Sequence, residues 1–157
     1  MAEKSREFKG RAVMPGRLSG EAAVSHGGFN ILASFQKDTM ANKKIMKCSD
    51  QNNTDLFGRV LTGKVLCLPQ TIGSTTGGMI LQTVASLGAA PAAMLFSEAI
   101  DSLAAAGVVL ADVWNGNRIV TIDHLGKEFL ACVGQGWKID IFEDGRVVVH
   151  EKGDGFV

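Results

Sequence analysis

Apolar and polar positions alternate in short blocks along the chain, and only its middle carries helical periodicity. The apolar run 60–68 (VLTGKVLCL) ends at Pro69 and predicts a buried strand. Over 79–87 the apolar residues return at the spacing of one helical face, and Gly88 follows as a C-terminal stop signal. A short apolar strand over 92–96 comes next. The centre of the chain is therefore predicted to run strand, loop, helix, strand.

A second helix and further strands complete the pattern. This helix is expected to begin at Ser97, with Glu98 and Asp101 in its first turn, and to end at Gly107. The strands predicted around the central block are 8–14, 20–24, 108–111 and 118–122, followed by a hairpin of 138–142 and 146–150 around Asp144-Gly145. Because strands flank about two central helices, we predict an α/β domain with a mixed sheet. It should be sandwich-like or barrel-like, with β elements outnumbering helices.

The stretch 36–55 is the most polar part of the chain. It holds five charged residues between 37 and 47 and the pair Asn52-Asn53. We expect an exposed, mobile loop there, with a partner-contact arm as the alternative. The length of 157 residues suits a single domain, 1–157, that buries roughly 70% of its unfolded surface.

Charge and cysteine usage exclude several classes of protein. The 16 basic and 16 acidic side chains cancel, so no field of one sign would attract nucleic acid or an anionic membrane. The apolar stretches are interrupted well before the roughly 18 residues of a membrane span, and the first residues are too polar for a signal peptide. Cys48, Cys67 and Cys132 are irregularly spaced, which predicts free thiols. We expect a cytoplasmic protein without nucleic-acid or membrane partners.

The segment 68–78 carries the clearest candidate chemistry. A predicted strand runs into the loop PQTIGSTTGG and a predicted helix begins directly after it, so Ser74, Thr75 or Thr76 lies at the helix N-terminus. Unpaired backbone N–H groups and the partial positive charge of the helix favour a carboxylate or phosphate there. A capped turn without function is the alternative. The loop lacks the GK[ST] ending of a nucleotide-binding P-loop.

The three histidines carry weaker signals. His26 precedes Gly27-Gly28 and is a candidate to line a pocket, His124 stands beside Asp123 in a predicted loop, and His150 is expected at the surface. They share no metal-ligand spacing with the cysteines, so we predict no metal site in this chain. The sequence also has no nucleophile elbow and no dinucleotide fingerprint.

Several segments match one family pattern in order and spacing. They are 20–22 (GEA), 61–66 (LTGKVL) followed by Pro69, 72–75 (IGST), 90–93 (APAA) and 106–109 (AGVV). Together they span roughly residues 8–122, and 72–75 is the most specific. On these residues the chain resembles the swivel-domain, or small-subunit, family of aconitase X. That family includes subunits of phosphomevalonate dehydratase and of cis-3-hydroxy-L-proline dehydratase.

The resemblance implies a swivelling β/β/α fold and a hydro-lyase that is inactive without a larger catalytic subunit. It implies that Ser74 is the catalytic base that removes a proton from a small hydroxy acid. Gly73, Thr75, Thr76 and Gly77 would then help to form the substrate pocket. It also places an iron–sulfur cluster in the large subunit, with iron as the Lewis acid for the leaving hydroxyl, and no cofactor on this chain. The cysteine pattern agrees, because it lacks cluster spacing.

The substrate depends on where the chain departs from this family. The segment 25–30 (SHGGFN) lacks the tryptophan of the Phe-Trp-Gly-Gly-like stretch that archaeal members tend to carry, and 36–55 is poor in the expected glycine. These departures favour cis-3-hydroxy-L-proline, with 5-phosphomevalonate as the alternative. Two alternatives come from other classes: a non-catalytic regulatory subunit in which Ser74 only caps a helix, and a stand-alone small-anion-binding module.

Overall fold

The computed structural model describes residues 4–152, so the predicted domain 1–157 includes terminal residues outside that range. The strands are β1 (Ser5–Lys9), β2 (Arg11–Met14), β3 (Leu18–Val24), β4 (Phe29–Asn30), β5 (Val65–Leu68), β6 (Thr71–Ile72), β7 (Ala93–Phe96), β8 (Val120–Asp123), β9 (Lys138–Ile141) and β10 (Arg146–His150). The helices are α1 (Ile31–Met40), α2 (Gly77–Ser86), α3 (Ser102–Asn115) and α4 (Lys127–Cys132). Within the described range, no helix has the length and apolar character to cross a membrane.

Eight strands form one mixed sheet in the order β1-β10-β9-β3-β5-β7-β8-β2. The strands β3, β5, β7 and β8 run parallel to one another, and the other pairs are antiparallel. The edge strands β1 and β2 do not pair with each other, but only Gly10 separates them in sequence, so the two ends of the sheet meet and the sheet is barrel-like. A Cβ at Gly10 would lie 2.3 Å from the Asp123 carbonyl oxygen, so the bend needs a residue without a side chain. The mixed α/β fold is confirmed, in its barrel-like form.

The sheet separates two apolar cores, and β5 shows the division. Val65 and Cys67 belong to the core formed by strands and α4, whereas Leu66 and Leu68 belong to the core under α1, α2 and α3. All four side chains are fully buried. This two-sided burial explains why the strand is apolar at successive positions, as parallel strands covered on both faces are.

The helix α3 begins later and runs further than its sequence pattern predicts. Its N-cap is Asp101 rather than Ser97, and it continues without a break through Gly107, so the predicted strand 108–111 is wrong. A Cβ at Gly107 would lie 2.8 Å from Leu81 Cδ2 on α2. This glycine permits close helix packing and does not end the helix. With α1 and α4, the described residues hold four helices rather than about two.

The stretch 36–55 is mostly exposed, but it is not a single loop. Residues 36–40 are the end of α1. Met46 and Cys48 are exposed to only 0% and 1%. The Asp38 carboxylate accepts a hydrogen bond from the Lys47 N–H at 2.8 Å. The polar residues thus fold this segment back onto α1, which lets its few apolar side chains enter the core.

Candidate functional site

The carboxyl ends of the parallel strands meet at one edge of the barrel. From this edge β3 leads into the loop 25–28, β5 into the segment 69–76, and β7 into the loop 97–101. Ligands of α/β sheets bind at this end because the connecting loops and the helix N-termini gather there. The loop that carries Ser74 therefore lies where the fold predicts a ligand site.

Gly73 holds the Ser74 loop against the start of α1. The short strands β4 and β6 pair in parallel and bring the two segments side by side. Gly73 follows β6 with a φ of +102°, and a Cβ there would lie 2.6 Å from Asn30 Oδ1. The same Asn30 oxygen accepts a hydrogen bond from the Ala33 N–H at 3.0 Å and caps α1. Both the left-handed backbone and the close approach require glycine.

Ser74 and Thr76 form a pair of hydroxyls in front of α2. Their oxygens are 2.9 Å apart, and Ser74 Oγ accepts a hydrogen bond from the Thr76 N–H at 3.2 Å. The Ser74 carbonyl accepts from the N–H of Gly77, the first residue of α2, at 3.0 Å. Thr76 is the N-cap residue, but its side chain makes no capping hydrogen bond. Gly73, Ser74, Thr75 and Thr76 are exposed whereas Gly77 is buried, so the loop presents its hydroxyls to solvent.

Three helices begin at this edge and set its electrostatics. The helices α1, α2 and α3 start next to Gly73, at Gly77 and after Asp101. Each N-terminus carries a partial charge of about +0.5. Asp101 offsets the charge of α3, and its carboxylate also accepts from the Thr71 N–H at 2.7 Å and from the Thr71 hydroxyl. Neither α1 nor α2 has an acidic residue in its first turn, so the potential at the Ser74 loop favours an anion.

An ion pair with a buried carboxylate, which sequence reasoning missed, supports this edge. Asp123 ends β8 with a side chain 0% exposed, and Arg11 donates to it from Nε at 3.0 Å and Nη2 at 2.6 Å. The Ile100 N–H donates to the same carboxylate at 2.9 Å. Burial acts to raise the pKa of Asp123, but the Arg11 and Ile100 hydrogen bonds outweigh it and hold the pKa below its ordinary value. Ile100 directly precedes Asp101, which accepts the hydrogen bonds from Thr71. The Arg11–Asp123 pair therefore anchors the loop 97–101, which positions Thr71.

The three histidines lie apart from one another. His26 follows β3 at the site edge, with Nδ1 3.1 Å from Asp55 Oδ2. His124 is exposed beyond β8. His150, expected at the surface, is half-buried with Nε2 2.7 Å from Asp140 Oδ2. Among residues 4–152, no three His, Cys, Asp or Glu side chains gather in a group that could hold a metal ion.

The cysteines are free thiols, as predicted: Cys48 and Cys67 are buried and Cys132 is half-buried. Burial raises the pKa of the Cys67 thiol far above its ordinary value. Iron–sulfur clusters bind thiolates, which such burial disfavours. These residues therefore do not fit the ligand set of an iron–sulfur cluster within this chain.

The fold and its edge define a class: an α/β barrel domain that offers an exposed hydroxyl loop at the N-termini of helices. A family model described as the aconitase X swivel domain matches residues 7–150, and the chain belongs to this family. The phosphomevalonate dehydratase small subunit of Pyrococcus furiosus is 28% identical over 149 residues, 94% of this chain and 98% of that protein. The crystal structure of Thermococcus kodakaraensis aconitase X in its holo-form has the same fold. It matches with a TM-score of 0.76 at 24% identity, over 93% of this chain and 99% of that chain.

A second kind of relative matches only in part, with a higher identity over a shorter stretch. Cis-3-hydroxy-L-proline dehydratase of Pseudomonas aeruginosa is 36% identical over 95 residues, 60% of this chain. The matched stretch is only 16% of that protein. Both relatives are thus named as a dehydratase or a dehydratase subunit, but the two names give different substrates.

Proposed function

We propose that this chain is the small subunit of an aconitase X-type hydro-lyase that removes water from a small hydroxy acid, with Ser74 as the catalytic base. The observation that supports this most directly is the position of Ser74. Its hydroxyl is exposed at the carboxyl edge of the parallel strands, and the N-terminus of α2 lies directly behind it. Family membership supplies the reaction class.

In this mechanism, the ionised Ser74 oxygen removes the proton from the carbon next to the substrate carboxylate. The electron pair of the broken C–H bond forms the new double bond as the hydroxyl on the adjacent carbon departs with its bonding electrons. The departing hydroxide takes up a proton from the medium and leaves as water, and Ser74 returns the abstracted proton to the medium, so the net products are an unsaturated acid and water. Gly73, Thr75, Thr76 and Gly77 form the wall of the pocket. The positive end of α2 stabilises the carboxylate and the negative charge that develops on it.

The remaining chemistry belongs to a large catalytic subunit. We assign the iron–sulfur cluster to that partner, where it would polarise the departing hydroxyl. The poor fit of Cys48, Cys67 and Cys132 to cluster ligands supports this division. Ser74 lies in an open loop, and a surface of a second subunit would have to cover it to exclude water during proton removal.

Two substrates agree with the relatives, and both carry a hydroxyl on the second carbon from the carboxylate. Cis-3-hydroxy-L-proline is the first candidate because the dehydratase of that name has 36% identity, against 28% for the full-length match to phosphomevalonate dehydratase. The departure at 25–28 points the same way. Phosphomevalonate is the second candidate, because its dehydratase subunit matches 98% of its own length.

The test is a dehydratase assay on both substrates with this chain alone, with its large subunit carrying the reconstituted cluster, and with the two combined. We expect turnover of one substrate in the mixture only. Ser74→Ala in the mixture should lower kcat by a factor of about 10²–10⁴, as loss of a catalytic base does. The control is Ser86→Ala, which removes an exposed hydroxyl from the last turn of the same helix.

Two outcomes would overturn the proposal. Full turnover by Ser74→Ala would identify Ser74 as a capping residue and the chain as a non-catalytic subunit. Binding of a carboxylate or phosphate by this chain alone, with no turnover of either substrate in the mixture, would identify a stand-alone anion-binding module.

A further inference from the structure

We propose that His26, oriented by Asp55, is a second substrate-binding residue of this chain, and that its Nε2 contacts an oxygen of the substrate carboxylate in the assembled enzyme. This inference rests on the proposed function, because it needs a hydroxy acid bound at the Ser74 edge. The sequence offered His26 only as a candidate to line a pocket, without a role and without Asp55 as its partner in a dyad.

Sheet topology brings His26 to the same edge as Ser74. His26 follows β3 and Ser74 follows β5, and these two strands are parallel neighbours. Packing then joins the two loops: a Cβ at Gly28 would lie 2.6 Å from Ile72 Cγ2, and the Phe29 N–H donates to the Gln70 carbonyl at 3.0 Å. The loop that carries His26 therefore runs beside the segment that leads into Ser74.

Asp55 fixes both the backbone and the ring of His26. One oxygen, Asp55 Oδ2, is 2.8 Å from the His26 backbone nitrogen and 3.1 Å from Nδ1. The backbone N–H of His26, assisted by its ring and by Arg59, holds the pKa of Asp55 below its ordinary value. Asp55 is therefore an ionised acceptor at neutral pH, and Nδ1 must be the donor. The second nitrogen, Nε2, then has no part in the Asp55 contact and remains for a ligand.

The dyad is rigidly supported but open to solvent. The Arg59 side chain donates from Nε to the Asp55 carbonyl at 3.0 Å, and Asn53 Nδ2 donates to Ser25 Oγ at 3.1 Å. These two contacts tie the turn of Asp55 to the loop of His26. The His26 side chain is nevertheless 58% exposed. A histidine held by a carboxylate at one nitrogen and exposed at the other is arranged for binding rather than for core packing.

The charged groups facing His26 are Asp55 and, behind it, Arg59. In its doubly protonated form a histidine ring held at Nδ1 donates from Nε2 as well. A substrate carboxylate is the acceptor that the proposed reaction brings to this edge. The positive end of α2 would then stabilise the negative charge that develops on the carboxylate, while His26 sets the orientation of the acid.

The experiment is steady-state kinetics of the assembled enzyme with His26→Gln, on whichever of the two substrates it turns over. We expect KM to rise about tenfold, the equivalent of one hydrogen bond to a charged group, with kcat changed less than about threefold. Asp55→Asn should raise KM in the same direction by a smaller factor. The matched control is His124→Gln, since His124 is similarly exposed at 56% but follows β8, two strands away from β5.

The thermal midpoint and the affinity for the large subunit are measured for each variant. Unchanged KM in His26→Gln, or a KM rise that His124→Gln matches, would overturn the inference. Weaker subunit assembly in place of a KM effect would do so as well, because it would make His26 an interface residue. Failure of the proposed function itself looks different: Ser74→Ala would then keep full activity whatever the His26 variants do.

Discussion

Replacing Asp123 by asparagine tests the claim that the ion pair between the buried Asp123 carboxylate and Arg11 supports the site edge. The Asp123 carboxylate is 0% exposed and accepts three hydrogen bonds, two from Arg11 and one from the Ile100 N–H. Asparagine keeps the size and shape of the side chain but removes its charge. Any change in stability therefore reports on electrostatics and hydrogen bonding, and not on a cavity.

The expected loss follows from the strength of these bonds. A hydrogen bond to a charged group contributes about 1.5–3 kcal/mol and a neutral one about 0.5–1.5 kcal/mol. Asparagine has only one acceptor oxygen, so one of the two bonds from Arg11 is lost and the other should weaken by about 1 kcal/mol. The Arg11 side chain is 62% exposed and regains water, so no buried charge is left unpaired. We expect Asp123→Asn to lower the free energy of unfolding by about 2 kcal/mol, or the melting temperature by about 4–8 °C.

The pH dependence provides the decisive measurement. Because the pKa of Asp123 in the folded chain lies below its ordinary value, its stabilising contribution is complete above about pH 5 and is lost as the pH falls through the folded pKa, below about 4. The asparagine variant has no group to titrate there. The free energy of unfolding of both proteins is measured by urea denaturation, followed by circular dichroism at pH 7 and at pH 3.5. The difference between the two proteins should be smaller at pH 3.5.

The control variant is Asp112→Asn. Asp112 likewise accepts two hydrogen bonds from Arg118, at 2.8 and 3.0 Å, but its carboxylate lies nearer the surface. Its stability change should be clearly smaller. Two results would refute the reasoning. One is an equal loss of unfolding free energy in Asp123→Asn and Asp112→Asn. The other is a stability difference between the unmodified chain and Asp123→Asn that is the same at pH 7 and at pH 3.5.

Two further predictions follow from the glycine and cysteine environments. Gly73→Ala should lower the free energy of unfolding by about 2–4 kcal/mol, because residue 73 has a φ of +102° and a Cβ there would meet Asn30. Chemical denaturation measures this loss, with Gly27→Ala as the control because a Cβ at Gly27 meets nothing within 4 Å. A thiol reagent should label half-buried Cys132 in the native protein and Cys67 only after unfolding, since burial raises the Cys67 pKa; equal labelling rates would contradict this.

The sequence predicted elements whose pattern is local. The C-terminal hairpin around Asp144-Gly145 lies where its turn signal indicates, and α2 begins two residues before the predicted start at Met79. The strand β5 ends at Leu68, directly before Pro69, as expected, although it begins at Val65 rather than at residue 60. Each of these follows from the periodicity or turn chemistry of neighbouring residues, which a single sequence displays directly.

The features that the sequence did not predict depend on contacts between segments that are distant along the chain. Gly107 has the local signature of a helix end, but the structure requires glycine there because Leu81 on α2 packs against it. The partners Arg11 and Asp123 are 112 positions apart, so no spacing rule connects them. The same holds for His26 and Asp55, which are 29 positions apart and meet only because the polar segment folds back. Ser74 was found through family resemblance, and its exposure follows from the fold alone.

The exposure of Ser74 constrains how the proposed reaction can work. An aliphatic hydroxyl is nearly as weak an acid as water, so its pKa lies far above neutral pH. Ionising it at neutral pH therefore requires roughly 10 kcal/mol, at about 1.4 kcal/mol for each pKa unit. A helix N-terminus supplies at most about 2 kcal/mol, and less in open solvent. Since both Ser74 and the Thr76 hydroxyl beside it are exposed, this chain alone lacks most of the required stabilisation. Docking of a partner that excludes water and brings positive charge is then a requirement of the chemistry, and the proton should be removed only in the assembled enzyme.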